Sequence, residues 1–262
     1  MLKHRLIPVL ILKNGQLVRS ESFSTHQIIG DPIHEVKRFN EWNVDELIYL
    51  DITKGDYNFQ GRSDQRTQYL SDPLDILDAV SKTCFMPLTW GGRISSFDDA
   101  AKRFSRGADK ITLNNALFKS PNLVSQIAKR YGSQAVVASI DAFKHDNGKY
   151  EAFTCGKDIG MGITPIEHAK KAEAMGAGEI LLQSINRDGA AMGYDLDLIS
   201  DVSSAVSIPV IACSGVGMYE HYAKGIKAGA AAVAAANIWH FKELSDRNGK
   251  RALKRAGINI RF

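Results

Sequence analysis

Cysteine is scarce in this chain. Among 262 residues there are three, Cys84, Cys155 and Cys213, widely spaced and without a CxxC. That argues against a disulfide framework and a thiolate zinc site, and it fits a reducing cytoplasm. Long apolar runs are also lacking. The longest candidate, AGAAAVAAANIW, is short and mostly alanine, below the roughly 18 residues a membrane helix needs. The opening residues carry no signal-peptide cleavage pattern. Nor does one sign of charge dominate: the formal net charge is +4 and 24% of residues are charged, as in an ordinary soluble globule. No aromatic-rich basic stretch supports nucleic-acid binding, and the basic tail RNGKRALKRAGINIRF reads as the solvated face of a last helix.

What is present is an alternation. Short apolar runs recur at LIPVLIL (6–12), ELIYLDI (46–52), MPLTW (86–90), KITLN (110–114), AVVASID (135–141), EILLQSI (179–185), IPVIAC (208–213) and AAVAAA (231–236). Near-continuous apolarity is how strands buried on both faces read. Helix starts lie between them. Asp31-Pro32, Asp72-Pro73, Ser120-Pro121 and Thr164-Pro165 each place a capping oxygen before a proline at the first helical position. Gly107, Gly132, Gly176 and Gly229 fall where helices should stop. Eight βα units in series predict an α/β chain closed as one (βα)8 barrel domain over residues 1–262. An internal repeat supports this. One offset pairs Pro87 with Pro209, Gly107-Ala108 with Gly229-Ala230, and Asn115 with Asn237; other offsets pair the first strand with the fifth and the second with the sixth. Two (βα)4 halves result, and Ile11 falls opposite Asp141.

In such a barrel the loops after the strands build the site, and phosphates bind in late βα turns. Two Gly-rich turns fit an anion: Trp90-Gly91-Gly92-Arg93 with Asn114-Asn115, and Ser214-Gly215-Val216-Gly217 with Ala236-Asn237. The same glycines equally suit tight turns. In INRDGAAMGYD, Asp188 before Gly189 suits either a ligand hydroxyl or an Asx-type turn. Asp51 and Asp141 end buried strands, where a carboxylate is costly unless it faces the mouth or is paired. Lys13 and Arg19 lie by the first loop, placed for a phosphate or for solvent. At the opposite strand ends, Arg5, Glu46, Lys110 and Glu179 alternate in sign around the barrel floor, as a salt-bridge plug would.

These residues carry a family resemblance along the whole chain, most specifically in GDPIHEVKRFNEWNVDELIYLDIT, GADKITLNNA, GSQAVVASIDA, GAGEILLQSINRDGAAMGYD and the late WHF. The chain resembles the cyclase subunit of imidazole glycerol phosphate synthase, a (βα)8 barrel of histidine biosynthesis. The resemblance implies a glutaminase subunit docked on the floor and ammonia passing through the barrel, with no cofactor or metal. It makes Arg5, Glu46, Lys110 and Glu179 the ammonia gate and Asp109 a contact to the glutaminase. It also implies two catalytic aspartates. Asp141 matches the one after strand five, but Ile11 stands where the other belongs, and isoleucine transfers no proton. The phosphate sites depart too: Arg93 replaces a glycine, Asn115 a threonine, Ser214 a glycine and Asn237 a serine, while Gln183 replaces a threonine at the end of strand six. With PVLILKNG in place of the aspartate-bearing strand, the chain is similar to synthase-subunit paralogues of bacterial surface-polysaccharide pathways. Those work with a glutaminase and an ATP-dependent synthetase that aminates a sugar. A cyclase with Asp51, Asp141 or Asp188 taking over proton transfer is the enzyme alternative, and a partner-binding scaffold is the third.

Overall fold

The computed structural model describes residues 3–57, 70 and 72–261. The chain begins with β1 (Arg5–Lys13), β2 (Gln16–Glu21), β3 (Thr25–Gly30), α1 (Pro32–Glu41), β4 (Leu47–Asp51) and α2 (Pro73–Ser81). It continues through β5 (Leu88–Gly91), α3 (Phe97–Ser105), β6 (Lys110–Leu113), α4 (Asn115–Lys119) and α5 (Asn122–Tyr131). Next come β7 (Val136–Lys144), β8 (Tyr150–Thr154), β9 (Ile159–Gly160), α6 (Pro165–Ala174), β10 (Glu179–Ser184) and α7 (Leu196–Ala205). It ends with β11 (Val210–Cys213), α8 (Glu220–Lys227), β12 (Ala232–Ala235), α9 (Ile238–Phe241) and α10 (Ser245–Arg255). Parallel pairing runs β1-β4-β5-β6-β7-β10-β11-β12 and closes from β12 back to β1. This is a closed eight-stranded parallel barrel with helices between its strands, and all eight apolar runs lie in it.

The strands read as unbroken apolar runs because they serve two cores. Residues of one parity, among them Ile7, Val9, Ile48, Val137, Leu181, Ile211, Ala232 and Ala234, fill the lumen. Those of the other parity, such as Leu6, Leu10, Leu47, Tyr49, Leu88 and Trp90, pack outward among residues of the helices. Helix starts follow the chemistry expected of them. Asp31 accepts from the Ile33 and His34 N–H groups, Asp72 from Leu74, and Thr164 forms a reciprocal box with Glu167. Ser120 does not cap: α5 begins at Asn122 with no side-chain cap, and only the Ser120 carbonyl takes part, accepting from Leu123 N–H. Gly107, Gly132, Gly176 and Gly229 all end helices with positive φ.

Two hairpins stand on the barrel rim. The first loop, by which Lys13 lies, opens as a two-residue turn: Asn14 and Gly15 are both left-handed (φ 49° and 77°), and β1 pairs antiparallel with β2 from Lys13 opposite Gln16. β7 likewise runs on past the barrel and pairs antiparallel with β8. One hairpin per half, each after the half's first barrel strand, is the internal repeat in three dimensions.

Candidate functional site

At the floor, the four charged residues at the starts of the first, second, fourth and sixth barrel strands meet. Arg5 Nη1 pairs with Glu46 Oε1 and Arg5 Nη2 with Glu179 Oε1, both at 2.6 Å. Lys110 Nζ pairs with Glu46 Oε2 at 3.2 Å and Glu179 Oε2 at 2.7 Å. The ring is closed: each cation bridges both carboxylates, and all four carboxylate oxygens are used. Burial by itself pushes the Glu179 carboxyl up, but the Arg5 and Lys110 charges and hydrogen bonds outweigh it and hold the group below the usual range. Burial also disfavours the Arg5 cation, yet the two glutamates leave it raised. Asp109, beside Lys110, is exposed, and one carboxylate oxygen accepts from Leu88 N–H at 2.8 Å.

Above the ring the lumen is mostly apolar. Ile11 is the top rung of the β1 face that begins at Arg5, and it packs with Leu50 and Ala236 against the inner core. The polar groups lie on one side. Along β6 the inward face carries Lys110, Thr112 and the following Asn114, and along β7 it carries Ser139 and Asp141. Asp141 is buried and accepts from Asn114 Nδ2 at 3.1 Å and Gln183 Nε2 at 3.0 Å. Desolvation pushes its carboxyl up to about 7 against the pull of those two donors, and the Asp188 charge adds to the rise. A carboxyl poised there can give or take a proton near neutral pH. Thr112 and Ser139 were not foreseen, although each lies two residues before a named residue on the same strand face.

Asn115, Asn237, Asp188 and Gly189 serve the hairpins. Asn115 Oδ1 accepts from the Thr154 hydroxyl and from Cys155 N–H, the latter at 2.9 Å, so it grips the β8–β9 hairpin. Asn237 Nδ2 donates to the Ser20 carbonyl at 2.9 Å and grips the β2–β3 hairpin. Asp188 holds that same hairpin, accepting from Ser20 Oγ at 2.7 Å and Phe23 N–H at 3.0 Å, while Gly189 abuts Ser20 and Glu21. The Asp188 carboxyl is raised, mainly by burial. The two repeat-related asparagines therefore do the same work in both halves.

The glycine turns are also used by backbone packing. At Gly92 (φ 96°) a Cβ would run into the Asp51 carbonyl, and at Gly215 (φ 90°) into the Gly193 carbonyl. Ser214, at φ 79°, is buried just before that contact, and Ala236 lines the inner core. Asp51 follows inward-facing Leu50 at the opposite parity. It accepts from Thr53 N–H, and its Oδ2 has no hydrogen-bond partner among the described residues. Burial raises this carboxyl against the opposing effects of Thr53, Arg93 and Arg103. The Arg93 guanidinium reaches outward to the Gly55 carbonyl at 2.7 Å and over the Tyr57 ring. Arg19 lies 5.9 Å from the Phe241 ring centroid, and Lys13 Nζ is 3.4 Å from His26 Nδ1.

A closed parallel barrel with a titratable carboxyl inside its C-terminal rim defines the (βα)8-barrel class whose functional side chains gather at the strand ends. Within that class, the chain belongs to the histidine biosynthesis protein family, whose profile matches residues 5–245. No helix among the described residues is long and apolar enough to cross a membrane.

Proposed function

We propose that this barrel is the synthase-type subunit of a glutamine amidotransferase complex in the cytoplasm. A glutaminase docks on the floor, with Asp109 at the contact, and ammonia released there enters the lumen through the Arg5–Glu46–Lys110–Glu179 ring. One observation carries the proposal: a closed ring of ion pairs over one end of a lumen that is mostly apolar, with its polar groups on one side. Such a ring opens to a small neutral molecule when one cation swings aside, and the apolar wall disfavours ammonium over ammonia. At the far end Ile11 supplies no proton-transfer group, while Asn115 gives its amide oxygen and Asn237 its amide nitrogen to the hairpins. Ammonia then passes to an ATP-dependent synthetase that aminates a sugar of a surface polysaccharide such as lipopolysaccharide.

The second reading, a cyclase of histidine biosynthesis, draws on Asp141, whose carboxyl titrates at about 7. One assay separates them. The purified barrel is given the ribulosyl substrate of the histidine pathway with ammonium salt at mildly basic pH, and imidazole glycerol phosphate is followed. No turnover above background is expected from the folded protein. Turnover near that of a working cyclase would overturn the conduit.

A further inference from the structure

A second cleft lies outside the lumen, between the end of β7, the loop after β10 and the start of α8. Its volume is 320 Å³. Lys144, Arg187 and Lys224 bring three positive charges to it, and among the described residues Arg187 and Lys224 make no ion pair. The Lys144 ammonium is 5.0 Å from the Tyr150 ring centroid.

The cleft is built rather than loose. Asn186 clamps the Lys144 backbone from both sides, accepting from its N–H at 2.8 Å and donating to its carbonyl at 3.0 Å, which fixes Lys144 against the loop carrying Arg187. His221 is 5% exposed, and its Nδ1 accepts from Gly217 N–H at 3.3 Å. Burial and the neighbouring Lys224 and Lys242 charges hold the imidazole below its ordinary range despite Glu220, so the ring is neutral at pH 7 and carries its proton on Nε2. Of the two carboxylates on the cleft, Asp195 is engaged as the α7 cap, accepting from Tyr150 O–H at 2.7 Å and Leu198 N–H at 3.3 Å. Asp197 stays exposed at the rim. Met192 and Leu196 give the cleft exposed apolar surface.

We propose that this cleft binds a small organic phosphate monoester. Arg187, Lys144 and Lys224 meet the dianion, His221 Nε2–H donates to it, and Met192 with Leu196 covers the organic part. Guanidinium and ammonium donors in a partly desolvated cleft are the groups that hold such an anion. The proposal is independent of the ammonia reading, because none of these residues lies in the lumen or the floor ring.

The test is titration of the whole chain, in low salt at pH 7.5, with inorganic phosphate and then glycerol 3-phosphate, read from the His221 ring and Gly193 amide NMR signals. Saturable shifts are expected there. Glycerol 3-phosphate should bind more tightly than phosphate, and Arg187→Gln/Lys224→Gln should weaken both by about tenfold or more. Both side chains sit at the rim, so an unchanged amide spectrum elsewhere certifies the fold of the variant. Absent or unsaturable shifts, equal affinity in the double variant, or shifts centred on Asp141 and Gln183 would each overturn the proposal. Equal affinity for the two probes would remove the organic portion from it.

Discussion

Replacing Lys110 with methionine tests whether the floor ring is held by charge. The substitution keeps most of the aliphatic stem and removes only the ammonium that bridges Glu46 and Glu179. Two carboxylates, each 9% exposed, would then share the Arg5 guanidinium. Breaking a fully buried pair costs about 3–5 kcal/mol, whereas exposed pairs contribute about 0–1 kcal/mol. With the cation side chains 17% and 22% exposed, the ring sits between these limits, so Lys110→Met should cost about 2–3 kcal/mol. For a chain of this size that lowers Tm by roughly 4–12 °C.

The pH dependence has a definite sign. The Glu179 carboxyl is held below its ordinary value in the fold, against burial that works the other way. Its contribution is therefore present above about pH 4.3, the unfolded value, and is lost as the pH falls through the lower folded value. In Lys110→Met the burial effect loses an opponent, so the Glu179 carboxyl rises. The deficit measured by urea midpoints should be largest at pH 6–8 and shrink toward pH 4. Lys110→Met/Glu179→Gln, which removes the orphaned charge, should be more stable than Lys110→Met alone. A deficit that does not vary with pH, or a double variant weaker than the single one, would show that packing of the lysine stem holds the floor instead.

Asp141→Asn should raise the urea midpoint most at pH 8 and change it little at pH 4. The carboxyl, pushed up to about 7 in the fold, opposes folding as pH climbs from the unfolded value toward it, by on the order of 4 kcal/mol; equal midpoints at pH 8 would refute this. Gly92→Ala should destabilise by about 2–4 kcal/mol in thermal unfolding, because the new Cβ meets the Asp51 carbonyl at a positive φ. A Tm within a degree of wild type would mean the turn has room to move. Asp188→Ala should speed amide exchange across Gln16–Gly30 while leaving Tyr150–Gly160 protected, since only the first hairpin hangs on that carboxylate. Faster exchange in both hairpins would show that they are coupled through the lumen.

The barrel was legible because its strands must be apolar on both faces, one against the lumen and one against the helices. That demand leaves unbroken runs such as LIPVLIL and EILLQSI, which no half-exposed strand shows. The floor was legible for a related reason: Arg5, Glu46, Lys110 and Glu179 each interrupt the apolar pattern at the start of a strand, and parity then points them into one ring. The hairpins were less visible. QLVRSE and THQIIG lie largely over the rim, so their burial is uneven and their pattern weak, although Asn14-Gly15 is a strong two-residue turn signal and was there to be read.

The rim was legible only in part, because a residue type there does not say what it will hold. Asn115 and Asn237 stand at repeat-related strand ends beside Gly-rich turns, where an anion was the natural expectation. Both hold hairpin groups, the first through Thr154 and Cys155 and the second through Ser20. Their equivalence follows from symmetry. Once each half extends its first strand into a hairpin, the end of the other half's fourth strand, which lies beside that first strand in the barrel, comes within reach of it, and an amide, having both donor and acceptor, meets either kind of backbone or hydroxyl group. Asp188 adds a third such contact in the first half alone. That half lacks a rim carboxylate at Ile11, whereas the second half keeps Asp141 buried between Asn114 and Gln183. The two halves thus share a scaffold and differ in which side chain ends the first strand. The asymmetry concentrates the lumen's polar groups along β6, β7 and β10 and leaves the β1 side apolar from Ile7 to Ile11.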